Sequence, residues 1–150
     1  KILYNRDQVF FIGRGLDSAI AYEGSLKLKE ISYINSFAIA AGELKHGTIA
    51  LMEPGTLVLA LATQDFLYEK MISNIQEIKA RGAHVLSIAK EGNRAIEAQS
   101  NEVIYIPPCP DELSPLLSVI PLQLFSYYVA KERGCNIDKP KNLAKSVTVE

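Results

Sequence analysis

The chain has 150 residues, 48% of them hydrophobic, and its 16 basic and 17 acidic side chains leave a net charge of −1. This size predicts one domain with a buried core, and neither a basic run nor an apolar run of membrane-spanning length stands out, so no nucleic-acid or membrane partner is expected. The two isolated cysteines, Cys109 and Cys135, do not form a disulfide framework, which favours a reducing cytoplasm.

Short apolar runs alternate with helical patterns along the chain. Strands are predicted at residues 9–12, 37–41, 56–62, 83–89 and 103–106. Helices are predicted at residues 16–34, 42–51, 65–81 and 114–133. The run at 56–62 is apolar throughout, as expected of a strand covered on both faces. The alternation therefore predicts an α/β fold with three layers, in which a doubly wound parallel sheet lies between helices.

Ligands of such sheets bind beyond the carboxyl ends of the strands. Here that edge is formed by the loops at residues 13–18 and 62–65. The Gly13-Arg14-Gly15 turn is only the start of a dinucleotide-binding motif, because Ser18 stands where a third glycine is needed. We therefore interpret it as a tight turn into a helix, whose first N–H groups could hold an anion.

A line of three charged residues, Glu23, Lys27 and Glu30, is the most informative pattern on the first predicted helix. At 100° per residue the three lie within about 60° of one another. Apolar residues flank them, and the face predicted to contact solvent is another one, formed by Ser18, Ser25, Ser32 and Lys29. Two interpretations stay open: an ordinary salt bridge between helix neighbours, or a set of acid–base groups in an apolar wall, where pKa values shift.

The remaining reactive side chains give weaker signals. His46 ends a short polar helix, while His84 lies in a strand pattern without ligand spacing to it, so a metal site is poorly supported. Cys109 has no histidine partner for nucleophilic chemistry. The terminal residues 142–150 mix apolar and polar side chains, which fits a docking segment as well as a frayed end.

Four segments together carry a resemblance to a known family. They are E-G-S-L-K-L-K-E from Glu23, A-A-G-E-L-K-H-G from Ala40, P-L-Q-L from Pro121 and N-L-A-K-S-V-T-V-E from Asn142. In this order and spacing they resemble the glutamine–fructose-6-phosphate aminotransferases (isomerising), and within them the second of two sugar-isomerase (SIS) units. The resemblance implies a SIS domain at residues 1–135 with a five-stranded sheet of flavodoxin-like order, followed by a catalytic tail at residues 136–150.

The resemblance also implies a reaction. Fructose 6-phosphate and ammonia drawn from glutamine become glucosamine 6-phosphate, and no metal or organic cofactor is needed. Glu30 resembles the family's base that moves a proton between C1 and C2 of the imine. Lys27 resembles the lysine that assists proton transfer at the amino nitrogen, and Glu23 would hold and tune Lys27.

Three further residues take roles from the same resemblance. His46 resembles the histidine that opens the sugar ring and reaches the site from the neighbouring subunit, which implies a homodimer. Lys145 resembles the tail lysine that forms a Schiff base with the substrate carbonyl, and Ala144 lies beside it over the sugar. A nucleophilic amine needs a lowered pKa, which burial of a docked tail can provide.

The sequence also departs from the family's phosphate-binding pattern. SIS units that hold the sugar phosphate are rich in Ser, Thr and Gly after the third strand, whereas this chain has Ala62-Thr63-Gln64-Asp65. We therefore expect the phosphate pocket in a preceding SIS unit and the ammonia source in a glutaminase domain of the same polypeptide. The start at Lys1 fits a piece of a longer protein, which is expected to be inactive alone. The alternatives are another SIS sugar-phosphate isomerase, a non-catalytic phosphosugar sensor, or an assembly module.

Overall fold

Five parallel strands form a single sheet in the computed structural model, which describes residues 6–143. The strands are β1 (Gln8–Gly13), β2 (Asn35–Ala40), β3 (Leu57–Ala62), β4 (His84–Lys90) and β5 (Glu102–Ile106). Their order across the sheet is β2-β1-β3-β4-β5, and every neighbouring pair is parallel. The predicted parallel sheet and its flavodoxin-like order are confirmed.

Helices cover both faces of this sheet. They are α1 (Leu16–Ser32), α2 (Tyr68–Lys79) and α3 (Ser114–Glu132). The segment predicted as one helix at residues 42–51 is instead two 3-10 turns, Ala41–His46 and Thr48–Leu51. Gly47 separates the turns with a φ of 145°, a conformation that ends helical hydrogen bonding and that only glycine adopts readily.

Alternating side chains of the central strands divide the core into two layers. Phe10 and Val58 point to the layer shared with α2 and the Ala41–His46 turn. Phe11 and Leu59 point to the layer shared with α1 and α3. All six residues of β3 are buried, as its continuous apolar sequence predicted. Two described segments, α1 and the Ala41–His46 turn, carry candidate residues. They therefore lie on opposite faces of the sheet.

The prediction of the solvent face of α1 was wrong for two of its four residues. Ser25 and Ser32 are buried, whereas Lys29 is exposed and Ser18 is half-buried. The Ser25 hydroxyl donates to the Ser36 hydroxyl on β2 at 3.1 Å, and that of Ser32 donates to the Leu28 carbonyl at 2.6 Å. Because these hydroxyls find partners inside the fold, the small serines allow α1 to lie close against the sheet.

Helix α3 corrects the expectation that no segment has membrane-spanning length. Within the described residues, the segment Asp111–Glu132 is long and apolar enough to cross a bilayer by length and composition, although a core helix of a globular domain passes the same test. Only 33% of its most apolar window is buried. Large apolar residues remain exposed along it, among them Leu116, Ile120, Leu124 and Tyr128. A contiguous apolar surface of this kind indicates contact with another structure.

Candidate active site

The charged residues of α1 form one connected group. The Lys27 ammonium donates to the Glu30 carboxylate, with Nζ and Oε2 2.7 Å apart, and lies 3.8 Å from Glu23 Oε1. The hydrogen bond to Glu30 is the largest influence on Lys27 and raises its pKa, so Lys27 is a stable ammonium at neutral pH. The group thus places a proton donor and a carboxylate base side by side, where both could reach one substrate.

The surroundings of this group are apolar but open. The three side chains are 28–39% exposed in the described part of the chain. Leu26 and Tyr33 in the adjacent row on the helix are also exposed, as is Tyr22. The apolar wall predicted from the sequence is therefore present, but no described residue covers it.

His46 lies apart from this group, on the other face of the sheet. It ends the Ala41–His46 turn, and its Nδ1 is 2.6 Å from Glu43 Oε2. Leu44 of the same turn is buried in the α2 layer, and Lys45 forms a 2.8 Å ion pair with Glu77 of α2. The Glu43 carboxylate holds the imidazole in orientation. Because both side chains are exposed, the imidazole faces outward.

The two loops predicted at the carboxyl edge of the sheet are joined by hydrogen bonds between Asp17 and Thr63. Asp17, at the start of α1, accepts hydrogen bonds from the Thr63 amide at 2.8 Å and from the Thr63 hydroxyl at 2.5 Å. The Thr63 hydroxyl also lies 2.9 Å from the Ser114 hydroxyl, so the start of α1, the end of β3 and the start of α3 are joined there. Burial raises the pKa of the Asp17 carboxyl, even though hydrogen bonds from Thr63 and Gln64 act in the opposite direction. The sequence predicted a loop here but not the hydrogen bonds that Asp17, Thr63 and Ser114 form.

A second polar group lies beside it and was also missed. Lys90, almost fully buried at the end of β4, donates to Asp111 at 2.5 Å and to Asp65 at 3.1 Å. An open cavity of about 470 Å³ adjoins Lys90 and Asp65. Burial acts to raise the pKa of Asp111, but hydrogen bonds from Lys90 and the Asp65 amide outweigh it and leave that pKa lowered. The sequence feature that could have predicted this group is Lys90 itself, a lysine at the end of a largely apolar strand.

Replacing Lys90 with methionine is expected to lower the free energy of unfolding by about 1–3 kcal/mol near neutral pH, because Asp111 loses its charged partner. Since the folded-state pKa of Asp111 lies below its ordinary value of 3.8, the ion pair stabilises above that value and is lost as pH falls through the folded pKa. Urea unfolding of both proteins between pH 3 and 8 checks this. An equal loss for Lys29→Met, an exposed lysine on α1, would contradict it.

The remaining predicted site residues, Ala144 and Lys145, lie outside the described residues. The part of the tail that is described contacts the end of α1. The Lys141 amide donates to the Tyr33 hydroxyl at 2.6 Å, and its ammonium lies 5.5 Å from the centre of the Tyr33 ring. Among the described residues, no group of three histidine, cysteine or carboxylate side chains could hold a metal ion.

Comparison with known families decides what kind of domain presents these groups. The SIS domain family matches residues 2–133. The chain belongs to the SIS domain family. As the resemblance read from the sequence implied, this SIS domain is also similar to glutamine–fructose-6-phosphate aminotransferases (isomerising). The enzyme of that name from Caldanaerobacter subterraneus is 65% identical over 98% of the chain, and the one from Methanosarcina mazei is 55% identical over 94%.

Solved structures agree with the sequence comparison. The C-terminal domain of glucosamine-fructose-6-phosphate aminotransferase from Francisella tularensis is 38% identical, has a TM-score of 0.84, and is matched over 93% of this SIS domain and 39% of that chain. The SIS domain spans about a quarter of the length of the curated relatives, 24% for Caldanaerobacter and 23% for Methanosarcina. The SIS domain thus corresponds to one unit of these longer relatives.

Proposed function

We propose that this SIS domain is the C-terminal unit of an enzyme that converts fructose 6-phosphate and glutamine-derived ammonia into glucosamine 6-phosphate. The observation that carries the proposal is the contact of Lys27 with Glu30, a proton donor 2.7 Å from a carboxylate base on an uncovered apolar helix face. An imine of fructose 6-phosphate becomes the amino sugar when a proton leaves C1 and another is added at C2. A single carboxylate placed over both carbons can perform both transfers.

Each residue of the group then has a role. Glu30 takes a proton from C1 and delivers a proton to C2. Lys27, which the Glu30 hydrogen bond keeps protonated, supplies a proton at the amino nitrogen. Glu23, on the other side of Lys27, orients the ammonium between the two carboxylates.

Two more groups complete the site from elsewhere. Because His46 lies on the opposite sheet face from Glu30, it opens the sugar ring in the neighbouring subunit of a homodimer. Lys145 forms the Schiff base with the substrate carbonyl, beside Ala144. The described part of the tail contacts α1 at Tyr33, three residues beyond Glu30, where the Lys141 amide donates to the Tyr33 hydroxyl. This contact supports a role of the tail at the α1 group.

The exposed apolar faces of α1 and α3 support a partner within the same polypeptide. We propose the domain at residues 1–135, the tail at 136–150, and a preceding SIS unit that covers these faces and supplies the sugar-phosphate pocket. This covering would enclose Glu30 and its neighbours. A glutaminase domain would supply ammonia, and the cytoplasm, where thiols such as Cys109 and Cys135 stay reduced, is the proposed location.

The test is synthesis of glucosamine 6-phosphate from fructose 6-phosphate and an ammonium salt by the full-length parent protein. The proposal expects turnover by the parent and none by the 150-residue chain alone. A parent that binds the sugar phosphate without turning it over would support the sensor alternative. A parent that interconverts sugar phosphates without incorporating ammonia would support a simple SIS isomerase.

Glu43 gives a sharper prediction about ring opening. Glu43→Gln in the parent enzyme replaces the carboxylate that holds the His46 imidazole in orientation with a weaker amide acceptor, so kcat should fall about 10-fold. KM for fructose 6-phosphate should change little, because the proposed phosphate contacts lie elsewhere. Glu53→Gln, at another exposed glutamate, serves as the control. An unchanged kcat in Glu43→Gln would refute the role.

A further inference from the structure

A cleft outside the groups described above lies between α2 and the Ala41–His46 turn. Its volume is about 250 Å³, and its wall includes Arg14, Lys45, Lys70 and Ser73. Three cationic side chains face one carboxylate, that of Glu77, so the lining carries a net charge of +2. The cleft is on the α2 side of the sheet, away from Glu30 on α1.

Arg14 is held in position within this cleft. Its Nε donates to the Asn74 side-chain oxygen at 2.9 Å, and Asn74 itself is buried in α2. The terminal guanidinium nitrogens lie against Gly42, where an added Cβ would come within 3.2 Å of Nη2. The absence of a side chain at Gly42 therefore leaves the fork of Arg14 open toward the cleft. A fixed guanidinium fork suits two-point recognition of an oxyanion.

The two lysines differ in what they can offer a ligand. Lys45 is already paired with Glu77 Oε1 at 2.8 Å, whereas the described residues form no ion pair with Lys70. Ser73 lies one turn beyond Lys70 on α2 and adds a hydroxyl donor. Arg14, Lys70 and Ser73 together make a region of the wall that offers hydrogen-bond donors and two positive charges.

Glu77 completes the pattern at the other end of the cleft. Its second oxygen, Oε2, is buried and has no hydrogen-bond partner among the described residues. A buried carboxylate oxygen without a donor is costly, and a rotation of the Glu77 carboxylate, which lines the cleft, would let a ligand hydroxyl satisfy it. The wall thus offers donors for an oxyanion at one end and an acceptor for a hydroxyl at the other.

We propose that this cleft binds a small phosphorylated hydroxy compound, with its phosphate on Arg14, Lys70 and Ser73 and a hydroxyl donating to Glu77. The site would be separate from the proton-transfer group of the proposed reaction, Glu23, Lys27 and Glu30 on α1. Because the cleft adjoins the turn that carries His46, a bound ligand would also fix the position of that turn.

The first experiment is a titration of the 150-residue chain with inorganic phosphate at constant ionic strength, followed by NMR. The Arg14 Nε–H, the Ser73 amide and the Asn74 amide report on the cleft. Saturable shifts confined to these signals are expected. Fructose 6-phosphate should bind about fivefold more tightly than inorganic phosphate, because its hydroxyls reach Glu77. Equal affinities would overturn the part of the proposal that involves Glu77.

Variants separate the site from general electrostatic attraction. Arg14→Lys and Lys70→Gln should each weaken phosphate binding about 10-fold, since each removes charge-assisted hydrogen bonds. Glu77→Gln should strengthen it about threefold, because the lining loses its one carboxylate. Lys79→Gln removes the same charge from α2 nine residues further on and should change nothing. Non-saturating shifts, or equal weakening in Lys70→Gln and Lys79→Gln, would overturn the proposal.

Discussion

A Glu30→Gln variant of the parent enzyme is expected to lose turnover by about 10²- to 10⁴-fold, the range typical of removing a general base. Glutamine has nearly the same shape and still accepts the hydrogen bond from Lys27, so the group on α1 stays assembled while its base is lost. The measurement is kcat for glucosamine 6-phosphate formation with ammonium as nitrogen donor. KM for fructose 6-phosphate should change little, because the proposed phosphate contacts lie elsewhere.

A second readout tests the same step without relying on turnover. If Glu30 removes the C1 proton, that proton should exchange with deuterated solvent in the wild type and stop exchanging in Glu30→Gln. Glu69→Gln, an exposed glutamate on α2, is the matched control and should behave as wild type. Glu23→Gln should lie between them, since Glu23 acts through Lys27. Full turnover with normal exchange in Glu30→Gln would refute the assignment of the base.

The grouping of these residues could be predicted from helix geometry alone. The spacing of Glu23, Lys27 and Glu30 places them on one face, and the structure puts Lys27 in contact with both carboxylates. Their enclosure could not be predicted in the same way. Periodicity identifies neighbours on one helix, but it contains no information on what covers that helix, and here the flanking Leu26 and Tyr33 are themselves exposed.

The layered sheet was predictable because each central strand has a continuous apolar sequence. The orientation of α1 was harder to predict, since a helix face rich in serine is normally interpreted as the face that contacts solvent. Ser25 and Ser36 pair their hydroxyls across α1 and β2, which hides both from water. On the same helix, a Cβ on Gly24 would lie 2.8 Å from Leu122 of α3. Small residues at these positions therefore indicate that the helix packs closely against its neighbours. A scale based on polarity does not detect this.

The hydrogen bonds between Asp17 and Thr63 also bear on the rival functions. A domain that senses a phosphosugar at the carboxyl edge of its own sheet needs free N–H groups and hydroxyls there. In this chain the Thr63 amide and hydroxyl are already used by the Asp17 carboxylate. The loop at residues 62–65 departs from the phosphate-binding sequence, and the structure shows a matching difference. The Asp17 carboxylate takes the Thr63 donors that a phosphate would need. This favours a division of labour in which another unit holds the phosphate.

Replacing Asp17 with alanine is expected to lower the free energy of unfolding by about 2–3 kcal/mol, because the Thr63 amide would be buried without an acceptor and the Thr63 hydroxyl would keep only Ser114 as a partner. Such a loss is a large fraction of the stability of a typical domain. Asp17→Asn keeps one oxygen acceptor and should lose less. Urea unfolding of the 150-residue chain, monitored by circular dichroism, measures both changes, and Asp7→Ala, at an exposed position before the amino end of β1, serves as the control.

The pH dependence of this loss has a definite sign. Burial raises the folded-state pKa of Asp17 above its ordinary value of 3.8, so the native state holds the proton more tightly than the unfolded chain does. The contribution of this titration to stability is therefore fully present below about 3.8 and is lost as pH rises through the folded pKa. Relative to Asp17→Asn, the wild type should thus be most stable at low pH, the reverse of the trend expected for the Lys90–Asp111 pair. A wild type that instead gains stability over Asp17→Asn as pH rises would show that the hydrogen bonds from Thr63 and Gln64 outweigh burial.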